Sequence, residues 1–270
     1  KKILKEKKVH SDFFSIFATK NFYKPKYKSN LIISFVMKKK IGNAVKRNKI
    51  RRKLKAIVQK LLKKRGEGGK SFSPGNDIGE FEKQRSSSKL AKAYGVYLHG
   101  TLRAIQDCPV PTVALIEGIC VGGGMEIAAC CDLRICGESS RFGVPIKRLG
   151  LTMAAKELEA LLKVTNYSIA MEILLEGRIM NAKEAYEKNL VNRVVKDTDV
   201  EKEAYKTAEL ICDGAPKVAR WHKEFAKEII QKGKVTSKLN NRGYKCYDTE
   251  DFQIGYKSFL TKTKPKFKNK

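Results

Sequence analysis

Apolar and polar positions alternate between strand and helix periods along the chain. Residues 111–116 (PTVALI), mostly apolar, predict a buried strand; 133–136 predict a second, shorter one. Between them, three glycines at 122–124 predict a tight loop, and the small apolar residues of 125–131 predict a helix start. Further on, apolar residues recur at helical spacing over 154–163, 168–176, 182–188, Val200–Cys212, Pro216–Lys232 and 249–260. A strand, a glycine-rich turn and a helix followed by a train of helices predict α/β layering with a helical C-terminal region.

The first part of the chain has a different pattern. Residues 10–18 place Phe13 and Phe17 on one side of an expected short helix, and Leu31–Met37, dense in β-branched and aromatic residues, predicts a strand. Gly42 breaks the chain and Asn43 is a good N-cap. Ile50, Leu54, Ile57, Val58 and Leu61 then share one face of an expected helix. Residues 63–70 (KKRGEGGK) have no period and mark a seam, dividing an expected segment 1–66 from a domain 67–270.

Charge sharpens that division. The formal net charge of +29 is concentrated at the front: residues 1–66 hold 23 Lys and Arg against 2 Asp and Glu, and the rest 34 against 26. Like charges on neighbouring helical turns repel, so this density favours a polyanion partner over a merely solvated face. The seven cysteines (108, 120, 130, 131, 136, 212, 246) show no CxxC spacing and read as reduced, buried thiols of a cytoplasmic protein. No apolar run reaches the roughly 18 residues a membrane span needs, so no membrane association is expected. No metal site is indicated.

The order of residues in KKKIGNAVKRNKIRRKLK, from Lys38 to Lys55, resembles the arginine-rich helix of the bacterial ribonuclease P protein subunit. That resemblance implies a truncated α+β module lacking its last strand and helix. It implies RNA contacts from Asn43, Lys46, Arg47, Asn48, Arg51, Arg52 and Lys55, with Phe13 and Phe17 lining the path of a single-stranded leader. Its partners would be ribonuclease P RNA and precursor tRNA, with Mg2+ entering only through that RNA. Basic side chains with aromatic rings suit salt-dependent, sequence-tolerant binding.

Downstream, FSPGNDI at 72–78, VPTVALIEGICVGGGMEIAACCD at 110–132, FGVP at 142–145 and TEDFQIGYKSFLTK at 249–262 resemble motifs of the crotonase (enoyl-CoA hydratase/isomerase) superfamily, in order and spacing. The resemblance implies a β-spiral, here expected to lack its N-terminal strands. It also implies an acyl-CoA thioester as substrate, coenzyme A being part of the substrate and no separate cofactor being needed. A homotrimer or hexamer is the assembly it implies. The chemistry needs two main-chain N–H groups on the thioester oxygen. Gly123 and Asn76 are the candidates, since Pro74 has no N–H to give. Pro74, Asp77, Ile78, Gly122 and Pro145 would line the acyl-CoA site, and Lys262, within 257–266, the nucleotide end. Glu126 fills one of the two glutamate positions of the family's hydratases. The second, directly after FGVP, is Ile146, which cannot move a proton. His99, on the helix expected before Pro111, is a substitute base or simply a hydrogen-bonded helix histidine.

Three readings stay open at this point. The chain is an acyl-CoA enzyme fused to an RNA-binding segment, a ribonuclease P protein component, or a chimera active in neither role.

Overall fold

The computed structural model describes residues 71–269, together with the strand backbones of residues 8–10, 14–20 and 31–37. Those three strands, β1 (Lys8–His10), β2 (Phe14–Lys20) and β3 (Leu31–Met37), form one antiparallel sheet in that order. β3 is the expected strand. The helix expected over 10–18 is corrected, because β2 pairs with β3 along its full length, from Phe14 opposite Met37 to Lys20 opposite Leu31. Seven paired residues rich in aromatic and β-branched types outweigh the helical spacing of two phenylalanines. Phe17 therefore sits on a strand, opposite Ser34. Phe13, the helix expected from Asn43, its residues Lys46, Arg47, Asn48, Arg51, Arg52 and Lys55, and the seam lie outside the described residues.

From residue 71 the chain winds as a spiral. β5 (Val113–Ile116) turns at Glu117 and Gly118 into β6 (Ile119–Val121), and β7 (Leu133–Gly137) turns at 138–140 into β8 (Arg141–Gly143). Each turn gives one strand to each of two sheets. β5 pairs parallel with β7 (Val113 opposite Leu133), and β6 pairs parallel with β8 (Cys120 opposite Phe142). β10 (Arg193–Val195) extends the first sheet along β7; β4 (Ser71–Ser73) and β9 (Met180–Asn181) flank the second. The corners let short strands, too brief for a sequence period to reveal, form continuous ladders.

Helices close the spiral. After the single-turn α1 (Phe81–Gln84) comes α2 (Ser88–Gln106), capped by the Ser87 hydroxyl, which accepts from the Leu90 N–H. α3 (Gly123–Ala129) starts two residues earlier than expected, so Gly123 and Gly124 belong to its first turn. α4 (Ala155–Val164), α5 (Tyr167–Glu176), α6 (Ala182–Glu187), α7 (Val200–Cys212), α8 (Pro216–Lys232), α9 (Ser237–Gly243) and α10 (Glu250–Leu260) follow. The core gathers Ile116, Cys120, Met125, Cys136, Phe142, Val144, Leu161 and Met180 from both sheets and from α3 and α4. Each fully buried side chain of Val, Leu or Phe size contributes about 1.5–3 kcal/mol.

None of the seven cysteines forms a disulfide. Cys120, Cys130 and Cys136 are buried, and burial pushes the thiols of Cys130 and Cys136 up to about 12. Cys212 is exposed, because its place at the end of α7 faces solvent; the expectation of uniformly buried thiols fails there. No helix among the described residues is long and apolar enough to cross a membrane.

Candidate active site

Two loops meet at the start of α3. Gly75 adopts φ +98°, and a Cβ placed there would come within 3.0 Å of the Val121 carbonyl oxygen and 3.3 Å of the Gly123 nitrogen. Only glycine fits both that backbone and that approach. Across the gap, Gly124 lies against Ser73, whose Cβ would be 2.9 Å from any side chain there. The loop 73–77 is thus pressed onto 121–124, and Asn76 comes next to Gly123: a Cβ on Gly123 would lie 3.4 Å from the Asn76 side-chain nitrogen, Nδ2. Gly122 turns the chain into the helix at φ +54°. The main-chain N–H groups of Asn76 and Gly123 donate to none of the described residues.

Glu126, in the first turn of α3, is only 6% exposed, and its Oε2 has no hydrogen-bond partner among the described residues. Burial pushes its carboxyl up to about 8; the charge of Glu157 adds to this and that of Arg85 opposes it. The site therefore holds a carboxylic acid that is mostly protonated at neutral pH and can exchange a proton near it.

Glu157, on α4, is one of three site residues that sequence reasoning missed. One of its oxygens is 3.0 Å from His99 Nε2, and the other accepts the Ala154 N–H at 3.1 Å, closing the helix start. His99 is thus a partly buried histidine tied to a carboxylate that also acts on Glu126. Tyr94 is the second, five residues before His99 on α2; its hydroxyl donates to the Asn76 side-chain oxygen at 2.8 Å. Arg85 is the third, its guanidinium carbon 4.5 Å from the Phe81 ring centre and 4.0 Å from that of Tyr94. Phe81 and Arg85, four apart, carried the only sequence signal for it. Glu157 and Tyr94 are ordinary helix residues until tertiary packing delivers them.

The remaining candidates scatter. Asp77 caps the 3-10 turn Ile78–Glu80 by accepting the Gly79 N–H at 3.0 Å, a structural task the loop imposes. Ile78 and Pro74 are exposed on the same loop, and Pro145 opens the 3-10 turn Pro145–Leu149. Within that turn Ile146 packs partly buried against the core, as its apolar side chain dictates. Lys147 donates to the Leu175 carbonyl at 2.5 Å at the end of α5, so it is occupied elsewhere. Lys262 is exposed just past α10. No group of three or more His, Cys, Asp or Glu among the described residues could hold a metal ion.

Known proteins are similar to this chain in sequence and fold. The family model described as enoyl-CoA hydratase/isomerase matches residues 34–270. The crotonyl-CoA hydratase of Syntrophomonas wolfei subsp. wolfei is 31% identical over 207 residues, covering 76% of this chain and 79% of that protein. A crystal structure of an enoyl-CoA hydratase/carnithine racemase from Magnetospirillum magneticum superposes with a TM-score of 0.76 at 35% identity, covering 97% of each chain. One of an enoyl-CoA hydratase/isomerase family protein from Hyphomonas neptunium does so with 0.71 at 34% identity, covering 76% of this chain and 78% of that one. The family match begins ahead of the glycine-rich seam, and none of these likenesses supports a ribonuclease P protein-like module. With its two apposed glycine loops, its buried glutamate and its α/β spiral closed by C-terminal helices, the chain belongs to the enoyl-CoA hydratase/isomerase family.

Proposed function

We propose that the protein transforms an acyl-CoA thioester by way of its enolate, with Glu126 moving the proton and the Asn76 and Gly123 N–H groups taking the charge that develops on the thioester oxygen. The observation that carries this reading is the buried Glu126 carboxyl, unpaired at Oε2, on the helix that follows the Gly123 loop, with the Asn76 and Gly123 N–H groups of two apposed loops lacking an acceptor among the described residues. A preorganised pair of donors in a site sheltered from water stabilises an enolate far better than water does. Of the expected lining residues, Gly122 adjoins Gly123 and Pro74, Asp77 and Ile78 lie on the Asn76 loop, while Pro145 stands on a separate turn; Lys262 suits the nucleotide end through charge alone. His99 acts here through Glu157 rather than on the substrate.

With isoleucine at 146, water addition lacks the second carboxyl. Crotonyl-CoA is therefore expected to be hydrated slowly, while exchange of the α-proton of butyryl-CoA in D2O, followed by NMR, proceeds. Exchange needs the ionised form of Glu126, so its kcat/KM climbs with pH and levels above about 8. Glu126→Gln is expected to lower exchange by about 100-fold or more. Exchange at the wild-type rate in that variant sinks the assignment.

Exposed apolar side chains at Val96, Tyr97, Leu175, Leu210, Phe259 and Leu260 support assembly into a homotrimer or hexamer, with copies covering these patches. A second reading, RNA binding by residues 1–66, rests on their excess of positive charge.

A further inference from the structure

Asn76 and Gly123 lie on different parts of the chain, the loop 73–77 and the first turn of α3, and a third element ties both to one frame. α2 is pinned near its far end: Leu102 is buried in one cluster with Ala129 and Cys130, at the end of α3, and with Ala160 of α4. About two turns nearer its start, Tyr94 reaches the other loop, its hydroxyl donating to the Asn76 side-chain oxygen at 2.8 Å. The Asn76 carboxamide is thus held at its oxygen by α2. Its nitrogen, Nδ2, lies against Gly123, 3.4 Å from where a Cβ would stand. The Tyr94 ring is fixed in turn. The Arg85 guanidinium carbon is 4.0 Å from its centre and 4.5 Å from that of Phe81, on α1. A cation over a ring face is attracted to its π-electrons, and by drawing on them it makes the phenol a stronger donor.

An N–H group helps an enolate only if it stands about 2.7–3.1 Å from the oxygen where charge develops, and a misplacement of about 1 Å costs on the order of 100-fold in rate. We propose that Tyr94 is a positioning residue for the enolate site: through the Asn76 carboxamide it sets the Asn76 N–H relative to that of Gly123, with α2 as the common strut; this rests on the acyl-CoA reading given above. Tyr94 touches no reacting atom. It acts through Asn76.

The test uses the full-length protein and Tyr94→Phe, which removes the hydroxyl and leaves the ring that stacks on Arg85. One readout is α-proton exchange of butyryl-CoA in D2O. The other is the infrared band of bound butyryl-CoA labelled with 13C at the thioester carbon, which N–H donors move to lower frequency by polarising the C=O bond. The expected result is a kcat for exchange lower by about tenfold or more, a KM within about twofold, and a band moved part of the way back toward that of the free ester. Asn76→Ala, which keeps the main-chain N–H and loses the carboxamide, does the same. The double variant is no worse than Asn76→Ala alone, since each change breaks the same link.

Wild-type kcat and an unmoved band in Tyr94→Phe overturn the proposal. So do losses that multiply in the double variant, which show Tyr94 acting by another route. A lower denaturation midpoint with an unmoved band overturns it too, marking Tyr94 as structural. A wild type that binds no butyryl-CoA, or leaves its band at the frequency of the free ester, removes the enolate reading itself, and this inference with it.

Discussion

Glu126 shows how far one residue's surroundings can move its chemistry. Its place after GGG singles this glutamate out in the sequence, but not its protonation: burial in the first turn of α3, with Glu157 nearby, raises it to about 8. The consequence extends to stability. Above its ordinary value of 4.5 the unfolded chain has lost a proton that folded Glu126 retains, so this residue makes stability fall as pH rises from about 4.5, levelling past about 8. Glu126→Gln removes that dependence. Urea melts should show the variant gaining roughly 4 kcal/mol on the wild type between pH 5 and pH 9; parallel pH profiles would mean that Glu126 is solvated after all. Gly124 is constrained as tightly by sterics as Glu126 is by electrostatics. A methyl group there meets the Ser73 main chain, so Gly124→Ala should destabilise by about 1–3 kcal/mol, read as a lower denaturation midpoint, and push the 73–77 loop off α3.

Among the elements, length decided what could be read. The helices over Val200–Cys212 and Pro216–Lys232 were expected with their observed bounds, since a dozen or more residues carry a clear 3.6 period. β6, β8 and β10, three residues each, carry none; parallel neighbours from other turns of the spiral create them. β2 erred in the opposite direction, its local helical spacing overruled by its partner strand. The C-terminal tail is another case of remote control. Asp251, buried in the first turn of α10, accepts the N–H groups of Lys268 at 2.6 Å and Asn269 at 2.9 Å, which ties the end of the chain back to that helix. No short-range pattern announces such a contact.

At the scale of the whole molecule, a family of acyl-CoA enzymes accounts for residues 34–270, and charge sets the first 66 residues apart. If those residues meet RNA phosphates, titration of the full-length protein with a labelled single-stranded RNA should lose affinity by tenfold or more between about 50 and 200 mM salt, with counterion release setting the slope. A flat response removes the RNA reading and leaves the enzyme reading untouched. The motif loops were legible because their glycines answer to backbone geometry, which the local sequence states directly: Gly75, Gly122 and Gly124 mark where the chain must turn or touch. From the sequence alone came the family, the helical C-terminal half and the choice of Glu126, Asn76 and Gly123 as candidates, since short motifs and long periods are local properties. Only tertiary packing joined Arg85, Tyr94 and Glu157 to them, because cation–π stacking, burial and charge coupling depend on distances between residues far apart in the chain.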